Sequence, residues 1–82
     1  MNERTALARA VAPFMSTWKH KKGSTYTVVG HALHTETGTG MIVYKRVAGP
    51  DFDSEGERDV HYARPVETWT PDRFERIDFL AS

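Results

Sequence analysis

The polar residues whose side chains could bind a ligand or react surround one predicted β-hairpin. They are His34, Glu36, Tyr44, Arg46 and Arg64. Imidazole and guanidinium groups donate hydrogen bonds to phosphate or carboxylate, and a phenol ring provides a stacking surface. This combination predicts a site for a compact anionic ligand such as a nucleotide. In the alternative interpretation the same side chains form a structural network, in which Glu36 accepts backbone N–H groups and Arg64 pairs with a glutamate.

The predicted register of this hairpin places the polar groups beside a small hollow. With the turn centred near Thr37, Gly30 lies opposite Tyr44 and Val28 opposite Arg46. Side chains alternate along a strand, so the ligand-binding face is expected to carry Val28, Gly30, Ala32, His34, Ile42, Tyr44 and Arg46. The predicted core lies on the opposite face, which carries Val29, Leu33, Met41 and Val43. Small residues at positions 30 and 32 leave room for a ligand.

Catalysis and metal binding have weaker support. The chain has no cysteine, which excludes thiol nucleophiles and thiolate zinc sites. His34 and Glu36 resemble an acid/base dyad, but no partner for a reacting group is evident. His31 and His34 are three residues apart, which places them on opposite faces of a strand. We therefore predict no catalytic residue, no metal site and no cofactor, and the protein is more consistent with a binding module than with an enzyme.

A second cluster combines basic and aromatic residues, and it supports an alternative function. Its members are Trp18, Lys19, Lys21, Lys22 and Tyr26. Lysines can follow a nucleic-acid backbone while bases stack on aromatic rings. Eleven basic and eleven acidic residues give a net charge of zero, however, whereas a duplex-DNA binder usually carries a basic excess. Nucleic-acid binding is thus the alternative to a small anionic ligand.

The elements that must position these residues are mainly β-strands. Residues of strand type, rich in β-branched and aromatic side chains, occur at Trp18–His20, Tyr26–His34, Met41–Val47 and Val60–Ala63. The polar segment 35–39 predicts the hairpin turn, and residues 48–57 predict an exposed acidic loop. Arg64-Pro65 is expected to stop a central strand. Thr70-Pro71-Asp72 is compatible with a helix start or with a turn into a last strand, Phe74–Phe79.

An amphipathic helix is predicted over residues 2–12, and Pro13 ends it. Its apolar face carries Ala6, Leu7, Ala10, Val11 and Phe14. A helix this short is marginal alone, so it must dock on the rest of the chain or on a second copy. A third hypothesis is a protein-interaction module that self-associates through Leu7, Ala10, Val11 and Phe14. A phage-type inhibitor is compatible with this hypothesis and with the anionic-ligand site.

Size and composition limit the organisation to one domain. Eighty-two residues suffice for a single small core, divided here into an N-terminal helix (1–14) and a β domain (15–82). No apolar run approaches the roughly 18–20 residues of a membrane helix. The N-terminus lacks the layout of a signal peptide, so we expect a cytoplasmic protein without membrane partners.

A resemblance to a known family rests on five blocks of the sequence: Trp18–Gly23, Tyr26–Gly30, His34–Gly38, Val43–Arg46 and Arg64–Glu67. Together these blocks resemble the DUF1653 family, a small bacterial and phage domain of unknown function. They run in order, and they leave the N-terminal helix outside the domain. Tyr62 stands where the family pattern implies a tryptophan, and the loop at 48–59 is longer and more acidic than the pattern implies. The resemblance supports a fold and implies no activity.

Short strands that must bury one face and protect their edges favour a small curved sheet. We therefore predict a mainly β fold, an SH3-like, partly closed barrel of four or five strands with a short N-terminal helix.

Overall fold

The computed structural model describes residues 3–57 and 60–78. In chain order the elements are α1 (Glu3–Val11), β1 (Thr17–His20), β2 (Thr25–Leu33), β3 (Gly40–Ala48), α2 (Ser54–Glu57), β4 (Tyr62–Pro65), a 3₁₀ turn (Val66–Thr68) and β5 (Phe74–Arg76). The strands form one antiparallel sheet in the order β4-β3-β2-β1-β5. The prediction of a mainly β fold with a short N-terminal helix is confirmed. The sheet is not closed, and its likeness to SH3 domains stays a prediction.

Two element boundaries differ from the prediction. β4 begins at Tyr62 and continues through Pro65, because an edge strand tolerates a residue without a backbone N–H. A short helix, α2, interrupts the predicted acidic loop. Of the two interpretations of residues 70–79, the turn into a strand is right, since Phe74 N donates to Thr70 O at 3.0 Å and β5 follows. The predicted end of that strand, Phe79, lies outside the described residues.

The register of the β2–β3 hairpin differs from the predicted one. Val28 pairs with Tyr44, whereas Gly30 pairs with Val43, so Val29 is an extra residue in β2. Such a β-bulge reverses the alternation of side chains beyond it. The predicted pairings of Gly30 with Tyr44 and of Val28 with Arg46 are both wrong. Tyr26 pairs with Arg46, so the pairing is already offset by two residues ahead of the bulge, and beyond the bulge the offset is one residue. A pattern of period two carries no sign of either shift.

The hydrophobic core occupies the sheet face that we expected to bind a ligand. Its buried members are Ala8, Ala12, Val28, Ile42, Tyr44, Trp69 and Phe74. The residues of the predicted core on the hairpin, Val29, Met41 and Val43, are only half-buried, and Leu33 is exposed. Trp69 stacks on Phe74 with 3.9 Å between ring centroids and an angle of 4°. Large aromatic rings therefore fill this face, and the expected division of the hairpin into core and open faces is reversed.

Helix α1 docks on that face through alanines. Ala8 and Ala12 are fully buried against the sheet, and Ala12 O contacts His31 Nε2 at 2.7 Å. A Cβ at Gly40 would overlap the Arg4 backbone, so the glycine permits the helix to approach. Small residues are required because bulky core side chains already occupy the space beneath. The helix and the sheet consequently share one core.

The apolar face predicted for α1 points away from the sheet. Its residues, Ala6, Leu7, Ala10, Val11 and Phe14, are all exposed. The helix is confirmed, and it docks on the rest of the chain, which is one of the two alternatives that the sequence left open. It does so through Ala8 and not through the predicted apolar face.

Candidate functional site

The turn residues of the predicted site lie at the surface. His34 and Glu36 are both exposed in the β2–β3 turn. The His34 Nδ1 accepts a hydrogen bond from the Thr37 backbone N–H at 3.3 Å, and His34 N donates to Thr39 O at 2.8 Å. These contacts organise the turn locally. No contact joins either residue to Tyr44, Arg46 or Arg64 in the described part of the chain.

Arg46 belongs to a cluster that holds the loop after β3. Its Nη1 donates to Glu57 Oε1 at 3.2 Å, and both side chains are mostly buried, with 16% and 19% exposure. Its Nη2 donates to the Pro50 carbonyl, and its guanidinium lies 5.8 Å from the Phe52 ring centroid. The positive charge is thus neutralised within the protein. We call Arg46, Pro50, Phe52 and Glu57 the arginine clamp.

Arg64 has a different environment. Its guanidinium carbon lies 5.2 Å from the centroid of the Phe74 ring, and its Nε donates a long hydrogen bond of 3.5 Å to Tyr44 Oη. Arg64 is on β4 and Phe74 on β5, the two edges of the sheet. The sheet therefore curves until a side chain from one edge reaches the other. Stacking on a ring holds the guanidinium in place while its terminal nitrogens keep their donors.

A basic pocket surrounds this arginine. It has a volume of about 270 Å³ and is lined by His20, Lys21, Lys22, Arg64 and Arg73. The pairing of β1 with β5 brings these residues together, since His20 pairs with Phe74 and Lys21 N donates to Arg73 O at 2.9 Å. None of the four cations belongs to an ion pair among residues 3–57 and 60–78. We refer to this set of five side chains as the basic pocket.

The imidazole of His20 is held in one orientation within the basic pocket. Its Nδ1 accepts a hydrogen bond from the Lys22 backbone N–H at 3.1 Å, and its ring packs edge-on against Phe74 with 5.0 Å between centroids. Burial, and then the positive charges of Arg64, Lys22, Lys21 and Arg73, lower the pKa of His20 below its usual 6.5. The neutral ring therefore carries its proton on Nε2, which can donate to an anion.

Two acids line a cavity that adjoins the basic pocket. Asp72 and Glu75 line this cavity of about 340 Å³ together with His20, Lys21 and Arg73. A hydrogen bond from the Thr70 side chain, with smaller contributions from Arg73 and Lys21, lowers the pKa of Asp72. This carboxylate stays ionised and partly offsets the positive charge at one side. Neither Arg64 nor Lys22 lines that adjoining cavity.

The predicted basic-aromatic cluster is divided by the sheet. Trp18 and Tyr26 pair across β1 and β2 and pack against the core, and Trp18 Nε1 donates to Ser16 Oγ at 2.8 Å. Lys19 alternates with Trp18 along the strand and is exposed. Lys21 and Lys22 join the basic pocket instead. The rings and the lysines therefore do not form one continuous surface.

The predicted hollow at Gly30 is present, but the residues around it are not the predicted ones. A Cβ at Gly30 would meet nothing within 4 Å. The surrounding groove is lined by Thr5, Arg9, Pro13, Phe14, Gly30, His31, Ala32 and Leu33. Neither Tyr44 nor Arg46 lines it, because the bulge in β2 moves Gly30 opposite Val43.

Sequence reasoning missed several residues of this region. His20 lay inside the basic-aromatic cluster but was not assigned to a site, and Arg73, Phe74 and Tyr62 were not assigned either. Only the curvature of the sheet brings Arg64 to the β1–β5 pair. The order of charged residues along the chain contains no sign of this approach.

Two further observations concern the described residues alone. Residues 3–57 and 60–78 contain no group of three or more His, Asp or Glu side chains that could hold a metal ion. No helix in these ranges has the length and apolar content needed to cross a bilayer.

The fold and the basic pocket define a small, mainly β domain with a positively charged recess between its sheet edges. Residues 16–76 match the family model DUF1653, described as a protein of unknown function, and the chain belongs to that family. The match begins after α1, as the sequence blocks predicted. No curated protein and no solved structure matches the chain.

Proposed function

We propose that this domain binds a compact anion that carries a phosphate or carboxylate group, and that the basic pocket is the binding site. The observation that carries the proposal is the group of four cations and one histidine around a recess without a lining carboxylate. Like charges brought together repel each other, and Asp72 offsets only part of this charge from the adjoining cavity. Clusters of this kind are typical of functional sites. A bound anion would relieve the repulsion.

The chemistry of the lining favours phosphate. Arg64 presents a planar fork that matches two phosphate oxygens, and Phe74 holds the fork in place. Lys21, Lys22 and Arg73 add three further positive charges to the lining, and the Nε2–H of His20 adds a neutral donor. In a recess of this size, charge-assisted hydrogen bonds are stronger than in open water. The proposed anion site thus shares Arg64 with the site predicted from the sequence, but its other residues are His20, Lys21, Lys22 and Arg73.

Isothermal titration calorimetry with pyrophosphate tests the proposal. We expect saturable binding to the native chain and no measurable binding to Arg64→Glu, because a carboxylate beside the phosphate repels it. Arg9→Glu is the matched control, since it makes the same change in net charge on exposed α1 and should bind as the native chain does. Equal loss in both variants, or no binding to the native chain, would contradict the proposal.

Nucleic acid is the competing ligand, and ionic strength separates the two. A strand that contacts many phosphates loses affinity steeply as salt rises, with a slope close to the number of phosphates neutralised. A compact anion in one pocket contacts few. Binding of a single-stranded oligonucleotide that is far tighter than that of pyrophosphate and steeply dependent on salt would favour the alternative function.

Self-association through α1 is a separate proposal, and the exposure of its apolar face supports it. Leu7 and Phe14 are 55% and 62% exposed, although large apolar side chains are usually covered. Light scattering over a range of concentrations would show a dimer that Leu7→Ser weakens. A native chain that stays monomeric at every concentration would rule this proposal out.

A further inference from the structure

Beside the basic pocket, the aromatic face of the sheet ends in a tyrosine that solvent reaches. Tyr62 is 38% exposed, whereas Tyr44 and Phe74 are 7% and 2% exposed. Tyr62 and Arg64 are two residues apart on β4, so their side chains share one face. An accessible ring therefore lies next to the arginine of the pocket.

The ring of Tyr62 is supported from two sides. Its centroid lies 5.8 Å from that of Tyr44 and 6.3 Å from that of Tyr26. Its hydroxyl donates a long hydrogen bond of 3.4 Å to Glu57 Oε2, and the other oxygen of Glu57 accepts from Arg46. Burial and the charge of Glu57 raise the pKa of Tyr62, so the phenol stays neutral. A ring held in this way loses little conformational entropy when another ring stacks on it.

Tyr44 links the two groups. Its ring centroid lies 5.8 Å from that of Tyr62, and its hydroxyl accepts the hydrogen bond of 3.5 Å from Arg64 Nε. The arginine clamp fixes one end of Tyr62, and Phe74 fixes the guanidinium of Arg64. The phosphate-binding and ring-binding groups are therefore preorganised side by side.

We infer that the ligand is a nucleoside phosphate, with its phosphate in the basic pocket and its base stacked on Tyr62. This inference rests on the proposed function and adds the class of ligand. The pocket of about 270 Å³ is smaller than the roughly 300–1,000 Å³ of sites that enclose a drug-sized ligand, so it suits the phosphate end of a nucleotide with the base outside. Among the rings of the described aromatic network, only Tyr62 is exposed. One phosphate site beside one open ring matches a single nucleotide.

Calorimetry with matched ligands tests the inference. We expect adenosine 5′-monophosphate to bind about 10-fold more tightly than ribose 5-phosphate, since stacking of one base on an aromatic ring has an effect of this size or greater. Tyr62→Ala should remove the difference and leave the affinity for ribose 5-phosphate unchanged. Tyr62→Trp should keep the difference, because its ring also stacks.

The control is Phe14→Ala, which removes an exposed aromatic ring from the groove at Gly30 and should preserve the preference for the nucleotide. Circular dichroism and melting temperature confirm that each variant is folded. Equal affinities of the native chain for the two phosphates would overturn the inference and leave anion binding intact. Failure of both to bind would instead overturn the proposed function. A preference retained by Tyr62→Ala would show that another group holds the base.

Discussion

Two arginines on the same face of the sheet have opposite surroundings. Arg46 lies in the arginine clamp, where Glu57 and the Pro50 carbonyl accept its hydrogen bonds. Arg64 lies among Lys21, Lys22 and Arg73 without a carboxylate partner in the described residues. The comparison shows that residue type alone does not identify a binding group. A guanidinium whose charge is paired with a carboxylate inside the protein, as that of Arg46 is with Glu57, stabilises the fold. One that lies beside other cations without such a partner is available to a ligand.

The largest expected effect is on the affinity for pyrophosphate, which should depend on Arg64 and not on Arg46. Arg64→Ala should weaken pyrophosphate binding about 10- to 100-fold, which corresponds to the loss of hydrogen bonds to a charged group. Arg46→Ala should leave the affinity nearly unchanged, because its guanidinium faces the loop. Titration calorimetry of both variants measures this. Equal losses would show that the two arginines contribute to one site and would end the comparison.

The loss of folding stability should be larger for the Arg46 variant than for the Arg64 variant, which is the reverse of the order expected for affinity. Arg46→Ala leaves the mostly buried Glu57 without its partner, and we expect a loss of about 1–3 kcal/mol in the free energy of unfolding. Arg64→Ala should change it by less than about 0.5 kcal/mol, since relief of repulsion offsets the lost contact with Phe74. Urea denaturation measures both. A larger loss for Arg64→Ala would assign that residue a structural role.

The pH dependence of the basic pocket is the next effect in size. The pKa of His20 is lowered in the folded chain, so between that value and 6.5 the unfolded chain binds more protons and stability falls as the pH falls. The protonated form of His20 is disfavoured by the surrounding cations, which are Arg64, Lys22, Lys21 and Arg73, whereas Asp72 lines the adjoining cavity. A bound anion offsets the charge of these cations and so favours the imidazolium. Sulfate, which does not titrate here, should therefore raise the pKa of His20.

Nuclear magnetic resonance titration of the His20 ring with and without sulfate measures this shift. His34 is the internal control, because it is exposed in the β2–β3 turn and its ring resonances should not respond to sulfate. An unchanged pKa of His20 at saturating sulfate would place the anion elsewhere.

The smallest effect concerns the hollow at Gly30. Its Cβ position is open, and glycine within a strand is less favourable than alanine by roughly 0.5–1 kcal/mol. Gly30→Ala should therefore raise the melting temperature slightly and leave pyrophosphate affinity unchanged. Thermal denaturation and calorimetry check both. A clear loss of affinity would show that the anion binds beside Gly30, on the hairpin face predicted from the sequence, and not in the basic pocket.

Local patterns predicted the elements but not their side-chain directions. The β-branched and aromatic runs placed β1, β2 and β3 within one residue of the observed bounds, and Pro13 marked the end of the first helix. The bulge at Val29 then moved Gly30 and Ala32 to the face opposite Tyr44. Packing of Trp69 and Phe74 on Tyr44 made the other face of the hairpin the core. On α1, burial of Ala8 and Ala12 in place of Leu7 and Val11 followed from the large rings beneath the helix. Both errors arise from packing between distant segments.

By itself the amino-acid sequence determined the class of fold, the order of the strands along the chain and the presence of a basic segment after Trp18. Tertiary structure alone decided which charges stay unpaired. Sheet curvature brings Arg64 from one edge to Phe74 at the other, and loop folding gives Arg46 its partner, Glu57. The reason is physical: the availability of a charge depends on which groups lie within a few ångströms, and those neighbours come from remote parts of the chain.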